Sequence, residues 1–111
     1  MLVSALSPLP SGSEAFKRSH QKFVPAVAGC YVLTTAGGTI LYIGLTSDLR
    51  RRMGEHLDSP TKTAATSEGR AALFYWLETP RMEFLERGWM IAHNHVEGRL
   101  PLLNKIFSPT D

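Results

Sequence analysis

The 111-residue chain contains a single cysteine, Cys30. One thiol excludes an internal disulfide and most zinc sites. Between Gly29 and Tyr31, within an apolar run, it reads as a small buried hydrophobe. No run reaches the roughly 18 apolar residues that a membrane-spanning helix needs. The opening MLVSALSPLP has neither a basic leading segment nor a long apolar one, so no secretory leader is expected. A soluble cytoplasmic protein without membrane contact is the expectation. Charge of one sign is scarce overall: twelve Lys/Arg against ten Asp/Glu leave a net +2. That excess is a weak pointer to a polyanionic partner. There is no repeat and no low-complexity tract.

The length fits one domain, and 43% hydrophobic residues suffice for a core. The charge is unevenly spread, since Arg50, Arg51 and Arg52 are consecutive. Local density of this kind matters more for phosphate contact than the total does. Residues 1–25 read as a tail: 1–12, rich in Ser, Pro and Gly, are expected to fray. A short helix is expected over 13–23, capped by Ser13. A domain is expected over 26–106, with a further tail over 107–111.

Within that domain, Cys30 to Thr34 reads as a strand, Ala36-Gly37-Gly38-Thr39 as a hairpin turn and Thr39 to Leu45 as the return strand. A turn centred on the two glycines pairs Leu33 with Tyr42 and Tyr31 with Gly44. Tyr31 and Tyr42 then emerge on one face as diagonal neighbours. Gly44 leaves room opposite Tyr31. Thr46, Ser47 and Asp48 precede a helix over 48–57, with Leu49, Met53 and Leu57 facing the core. Arg52 and His56, four apart, adjoin on its surface. Residues 58–70 read as a loop or weak helix, and 71–77 (AALFYWL) as a third strand. A second long helix begins at Thr79-Pro80 and buries Met82, Leu85, Trp89, Ala92 and Val96. Glu86 lies at the margin of that stripe. Gly98 caps the helix, Pro101 prevents its resumption, and the short apolar segment LLNKIF closes the chain. The fold class is α/β (α+β): a three-stranded, mostly antiparallel sheet flanked by helices.

These residues resemble the GIY-YIG nuclease superfamily over about 26–105. Gly29-Cys30-Tyr31 matches its first motif with Cys for Ile, and Tyr42-Ile43-Gly44 matches the second. Arg52 and His56 take the places of the family's helical arginine and histidine. Glu86 takes that of its metal-binding glutamate, with Glu83 the competing assignment. Pro101 and Asn104 match the closing proline and asparagine. Leu45 departs from the pattern, because many relatives carry Lys or another polar residue there. The interval from Glu86 to Pro101 is longer than in compact relatives.

The resemblance implies a metal-dependent endonuclease that hydrolyses phosphodiester bonds in DNA, RNA remaining open as a substrate. Its products would be a 5′-phosphate and a 3′-hydroxyl. One carboxylate, Glu86, suits Mg²⁺ (or Mn²⁺), an ion that keeps much of its hydration shell. Arg52 would stabilise charge on the scissile phosphate. Tyr31, Tyr42 and His56 would activate the water, with Tyr31 favoured as the group at the water and His56 relaying the proton. The order of the two tyrosines stays open. A phenol is a poor base unless a cation such as Arg52 or the metal lowers its pKa. Gly29, Gly44 and Asn104 would support the site. Arg50, Arg51 and Arg70 would contact flanking phosphates, with Lys62 and Lys105 extending that footprint.

Each residue alone has an ordinary explanation. Strand tyrosines are commonly packing residues, an arginine run commonly a solvated face, and a helical glutamate a surface group. His93-Asn94-His95 also suggests a metal role, with no second cluster to complete it. The joint pattern is what points to catalysis. A non-cutting nucleic-acid-binding module of the same fold is the alternative, and an interaction protein a third reading. With no specificity domain in the sequence, a protein partner or a second copy of the chain is a further expectation.

Overall fold

The computed structural model describes residues 1–105. The expected tail over 107–111, and residues 106 and 107 of the closing segment, lie outside the described residues. The protein is α+β: a four-stranded antiparallel sheet in the order β1-β4-β2-β3, with helices on both faces. The strands are β1 (Gly12–Ala15), β2 (Gly29–Thr34), β3 (Ile40–Thr46) and β4 (Leu73–Glu78). The helices are α1 (Leu49–Leu57), α2 (Pro60–Thr63) and α3 (Met82–Glu97).

The hairpin of β2 and β3 has the register expected from the paired glycines: Tyr31 faces Gly44 and Leu33 faces Tyr42. Its turn closes through the Gly38 N–H to Thr35 O, 3.0 Å, and Gly38 takes a φ of +92°, which glycine adopts without strain. Asp48 caps α1, its side chain accepting from the Arg51 N–H. Gly98, at a left-handed φ of +71°, ends α3 as expected.

The amino-terminal reading needs correction. Residues 13–23 are not an α-helix. Gly12–Ala15 forms the edge strand β1 on β4, and Arg18–Phe23 a 3₁₀ helix. The sheet therefore has one strand more than expected. Nor do residues 1–12 fray. The Met1 amino group meets Glu97 at 2.5 Å, Ile40 N–H donates to Met1 O, and Val3 N–H donates to Gly38 O. Trp89 Nε1 donates to Pro8 O, and Val3 and Leu6 are buried. The segment straps the hairpin tip to α3.

The period of two along each strand separates two layers. Cys30, Val32, Ile43 and Leu45 face Trp89 and Met90 of α3. Tyr31, Leu33 and Phe74 face Leu49 and Met53 of α1, with Val24, the residue after the 3₁₀ helix. The buried face of α3 is rotated from the expected stripe. Glu86, Trp89, Met90 and His93 are buried, whereas Val96 is 61% exposed.

Candidate active site

The α1 face of the sheet carries an aromatic row running across three strands. Tyr42 on β3 stacks on Tyr31 of β2 at 5.9 Å between ring centroids. Tyr31 stacks in turn on Phe74 of β4 at 5.2 Å and a 13° interplanar angle. The row depends on Gly44. A Cβ there would lie 2.5 Å from the Tyr31 hydroxyl oxygen and 2.8 Å from Tyr42 Cε1. Gly29 is needed for a different reason, since a Cβ would stand 2.5 Å from the Leu77 carbonyl oxygen.

His56 from α1 closes the cluster. Its Nε2 lies 2.6 Å from the Tyr31 hydroxyl, and its ring is 5.1 Å from that of Tyr42. His56 is 6% exposed. Burial, then the nearby charges of Lys62 and Arg52, lower its pKa to about 3. It is therefore neutral, and in the tautomer protonated at Nδ1 its Nε2 can accept from the Tyr31 O–H. The tyrosines move the other way. Burial raises the pKa of Tyr31 well above its ordinary value, with the neighbouring Tyr42 adding to the rise. Burial also raises Tyr42, while its hydrogen bond with Tyr31 and the charge of Arg52 pull it back. The expectation that cations would leave these phenols acidic is thus corrected for the unliganded chain: desolvation outweighs Arg52. Tyr31 is 1% exposed, whereas Tyr42 is only half-buried.

Arg52 and His56 share the surface of α1 four residues apart. Arg52 lies 3.1 Å from Glu55, which also holds Arg51 at 2.8 Å. Arg50 is tied into the fold, its Nε donating to Val24 O at 2.7 Å. Arg70 is exposed and reaches Thr63 O. Asn104 fastens the chain end to β3: Oδ1 accepts from the Ile43 N–H and Nδ2 donates to Ile43 O, both at 2.9 Å. Leu45, where relatives often carry a polar residue, packs in the α3 layer.

Glu86 approaches from the opposite layer. It is 1% exposed, and its Oε2 has no hydrogen-bond partner among the described residues. Burial raises its pKa to about 7, with Arg87 offsetting only part of that. Its charge also acts on Tyr42, across the edge strand β3. A buried carboxylate oxygen with no donor is one ligand of the kind a hard divalent cation takes. Glu83, the competing assignment, is exposed. Cys30 is buried below the hairpin, its Sγ donating to Met82 O and its pKa pushed up to about 12 by burial. His93 is buried and bonded to Arg99 O, and His95 is exposed. Among the described residues there is no group of three or more His, Cys, Asp or Glu placed to hold a metal.

The structure thus brings Tyr31, Tyr42, His56 and Arg52 into one layer and Glu86 to the same edge from the other. Two contributors went unrecognised in the sequence. Phe74 backs Tyr31, and only its strand was legible. Glu55, a salt-bridge partner to Arg52, sits three residues along α1, a spacing that makes such pairs on any helix.

Two layers against a short antiparallel sheet, with paired tyrosines over a hairpin glycine and an Arg–His helix beside them, define a nuclease-type domain. The profile of the GIY-YIG catalytic domain matches residues 27–97, and the chain belongs to that family. Membership points to a nuclease, a hydrolase acting on nucleic acid. No curated protein matches the chain. Among the described residues, no helix is long and apolar enough to cross a membrane.

Proposed function

We propose that the protein is a metal-dependent endonuclease hydrolysing phosphodiester bonds in DNA. The observation that carries this reading is the 2.6 Å hydrogen bond from the buried Tyr31 hydroxyl to neutral His56, with the more open Tyr42 stacked beside it. A buried phenol–imidazole pair leading to a half-open phenol is a path for a proton.

The difference in burial supports the reverse of the tyrosine order favoured from the sequence. Tyr42 is only half-buried, whereas Tyr31 is closed off from solvent. Tyr42 orients the attacking water and takes its proton as it passes its own to Tyr31, which donates to His56 Nε2. His56 is a weak base in the unliganded chain because burial, and then the charges of Lys62 and Arg52, disfavour its protonated form. A bound phosphodiester offsets those charges, so the imidazole gains basicity when substrate is present. Arg52 stabilises the charge that builds on the phosphate, its planar fork matching two oxygens.

Glu86 would hold Mg²⁺ or Mn²⁺ through its unpartnered oxygen. When bound, the ion supplies Lewis acidity at the phosphate and positive charge for the leaving oxygen. Arg51 and Arg70 contact flanking phosphates without reading sequence. Sequence preference is low, or is supplied by a protein partner or a second copy of the chain.

Purified protein with Mg²⁺ or Mn²⁺ should nick supercoiled plasmid or cut labelled branched DNA, and EDTA should stop it. Tight DNA binding with no cutting under any divalent ion would leave the non-catalytic binding module instead.

A further inference from the structure

Lys62 lies outside the proton path described above. It sits on α2, a single turn fixed by Ser59, which caps the Lys62 N–H, and by Pro60 at its first position. From this turn the Lys62 Nζ lies over the Tyr42 ring, 4.9 Å from its centroid. Lys105 follows Asn104, whose side chain is bonded to both backbone groups of Ile43, the chain neighbour of Tyr42. Glu55 answers Arg51 and Arg52. Among the described residues, no carboxylate pairs with Lys62 or Lys105.

A lysine packed on a tyrosine is by itself an ordinary surface contact. A second lysine beside it is not explained by that contact. Like charges brought together by separate elements repel and raise the local potential, and an anion relieves both. Burial, then the charges of Lys105 and Arg52, lower the Lys62 pKa, in keeping with that potential.

We infer that Lys62 and Lys105 form a phosphate-binding subsite against Tyr42, gripping the nucleic-acid backbone next to the phosphate that Arg52 serves. The inference rests on the nucleic-acid reading of the site. The ammonium groups are compact charges without a fixed fork, suited to holding backbone in register and not to reading bases. The α2 turn is then a substrate-gripping element, and Tyr42 lies between the grip and the reacting phosphate.

The test is binding of a fluorescently labelled DNA duplex in EDTA across a salt series. The chains compared are wild type, Lys62→Met, Lys62→Arg, Lys105→Met and Arg81→Met, with thermal melts to establish folding. Lys62→Met should weaken binding several-fold and flatten the slope of log affinity against log salt by about 0.9, the value for one lost phosphate contact. Lys62→Arg should restore most of both. Lys105→Met should act in the same direction, and it carries the test if Lys62→Met fails to fold. Arg81→Met, at the start of the helix on the opposite layer, should change neither quantity. Wild-type affinity and slope for Lys62→Met would overturn the subsite. So would an equal loss in Arg81→Met, which signals net charge alone, or no rescue by arginine, which signals packing on Tyr42. A wild type that binds DNA but cuts under no metal removes the nuclease reading and leaves the subsite standing. A wild type that binds no DNA removes both.

Discussion

Both faces of the sheet bury an ionisable group, and burial acts on each in the same physical way, against charge. The outcomes differ because of what surrounds them. On the α1 face, His56 is held neutral and has a partner, the Tyr31 hydroxyl at 2.6 Å. On the α3 face, Glu86 is driven towards its protonated form, and its Oε2 has no partner among the described residues. One face is a closed hydrogen-bonded unit whose cost of desolvation is met internally. The other keeps an unmet demand that a cation would satisfy. The proton chemistry and the electrostatic chemistry of the proposed reaction thus come from opposite layers and meet at the edge strand β3.

The strongest way to break this contrast is acid. Folded His56 has a pKa of about 3, while an unfolded histidine binds its proton near about 6.5. Between those values the unfolded chain holds more protons. His56 therefore contributes stability that is complete above about pH 6.5 and is lost on acidification, by roughly 1.4 kcal/mol per pH unit, until the folded ring itself protonates. The groups responsible are the apolar layer around it and the cations Lys62 and Arg52. Denaturant unfolding of wild type and His56→Asn from neutral to acid pH should give curves that diverge in this window, the wild type falling more steeply. Parallel curves would mean that the imidazole is not held neutral by the fold.

A smaller effect sharpens the same face. Gly44→Ala places a Cβ 2.5 Å from the Tyr31 hydroxyl oxygen. A free ring would swing aside, but this one is stacked on Phe74 and bonded to His56. The variant should lose about 1–3 kcal/mol, as overpacked sites do. It should lose nuclease activity out of proportion, because the ring that must move lies on the proposed proton path. A variant as stable and as active as wild type would show that the row tolerates displacement and that its geometry does not matter.

The proposed α1-face site was largely legible in the sequence because its determinants are local. Two glycines fixed the turn, the turn fixed the register, and the period of two then placed Tyr31 and Tyr42 on one face. Asp48 marked the start of α1, and the four-residue step to His56 followed. The segments that misled owe their structure to distant partners. GSEA has no strand pattern of its own and extends because β4 offers an unpaired edge. Residues 1–6 are held by β3, the hairpin turn and α3, contacts no local window contains. On α3, hydropathy selected Val96 and passed over His93 and Glu86, yet the fold exposes the first and buries the other two. A periodicity argument cannot find a buried face that includes polar residues kept for hydrogen bonding or charge. The difference in depth between the two tyrosines was hidden for a related reason: Tyr31 is closed in by Phe74 and His56, which lie outside the motif.

The smallest effect bears on the α3 face, and its sign is the informative part. A carboxylate retained only for folding should be well partnered, and removing its charge should cost stability. Glu86 is buried with an oxygen lacking a donor among the described residues, so its charge opposes folding in the absence of a cation. Glu86→Gln keeps the shape and removes the charge. In metal-free buffer at neutral pH it should melt higher than wild type, by an amount equivalent to about 1 kcal/mol, the gain found when a functionally strained site is relaxed. Cutting should disappear in the same variant, and Mg²⁺ should raise the melting temperature of wild type but not of Glu86→Gln. Stability lost along with activity would assign Glu86 to the fold. The unmet demand on the α3 face would then have some other origin, and the ion would need another ligand.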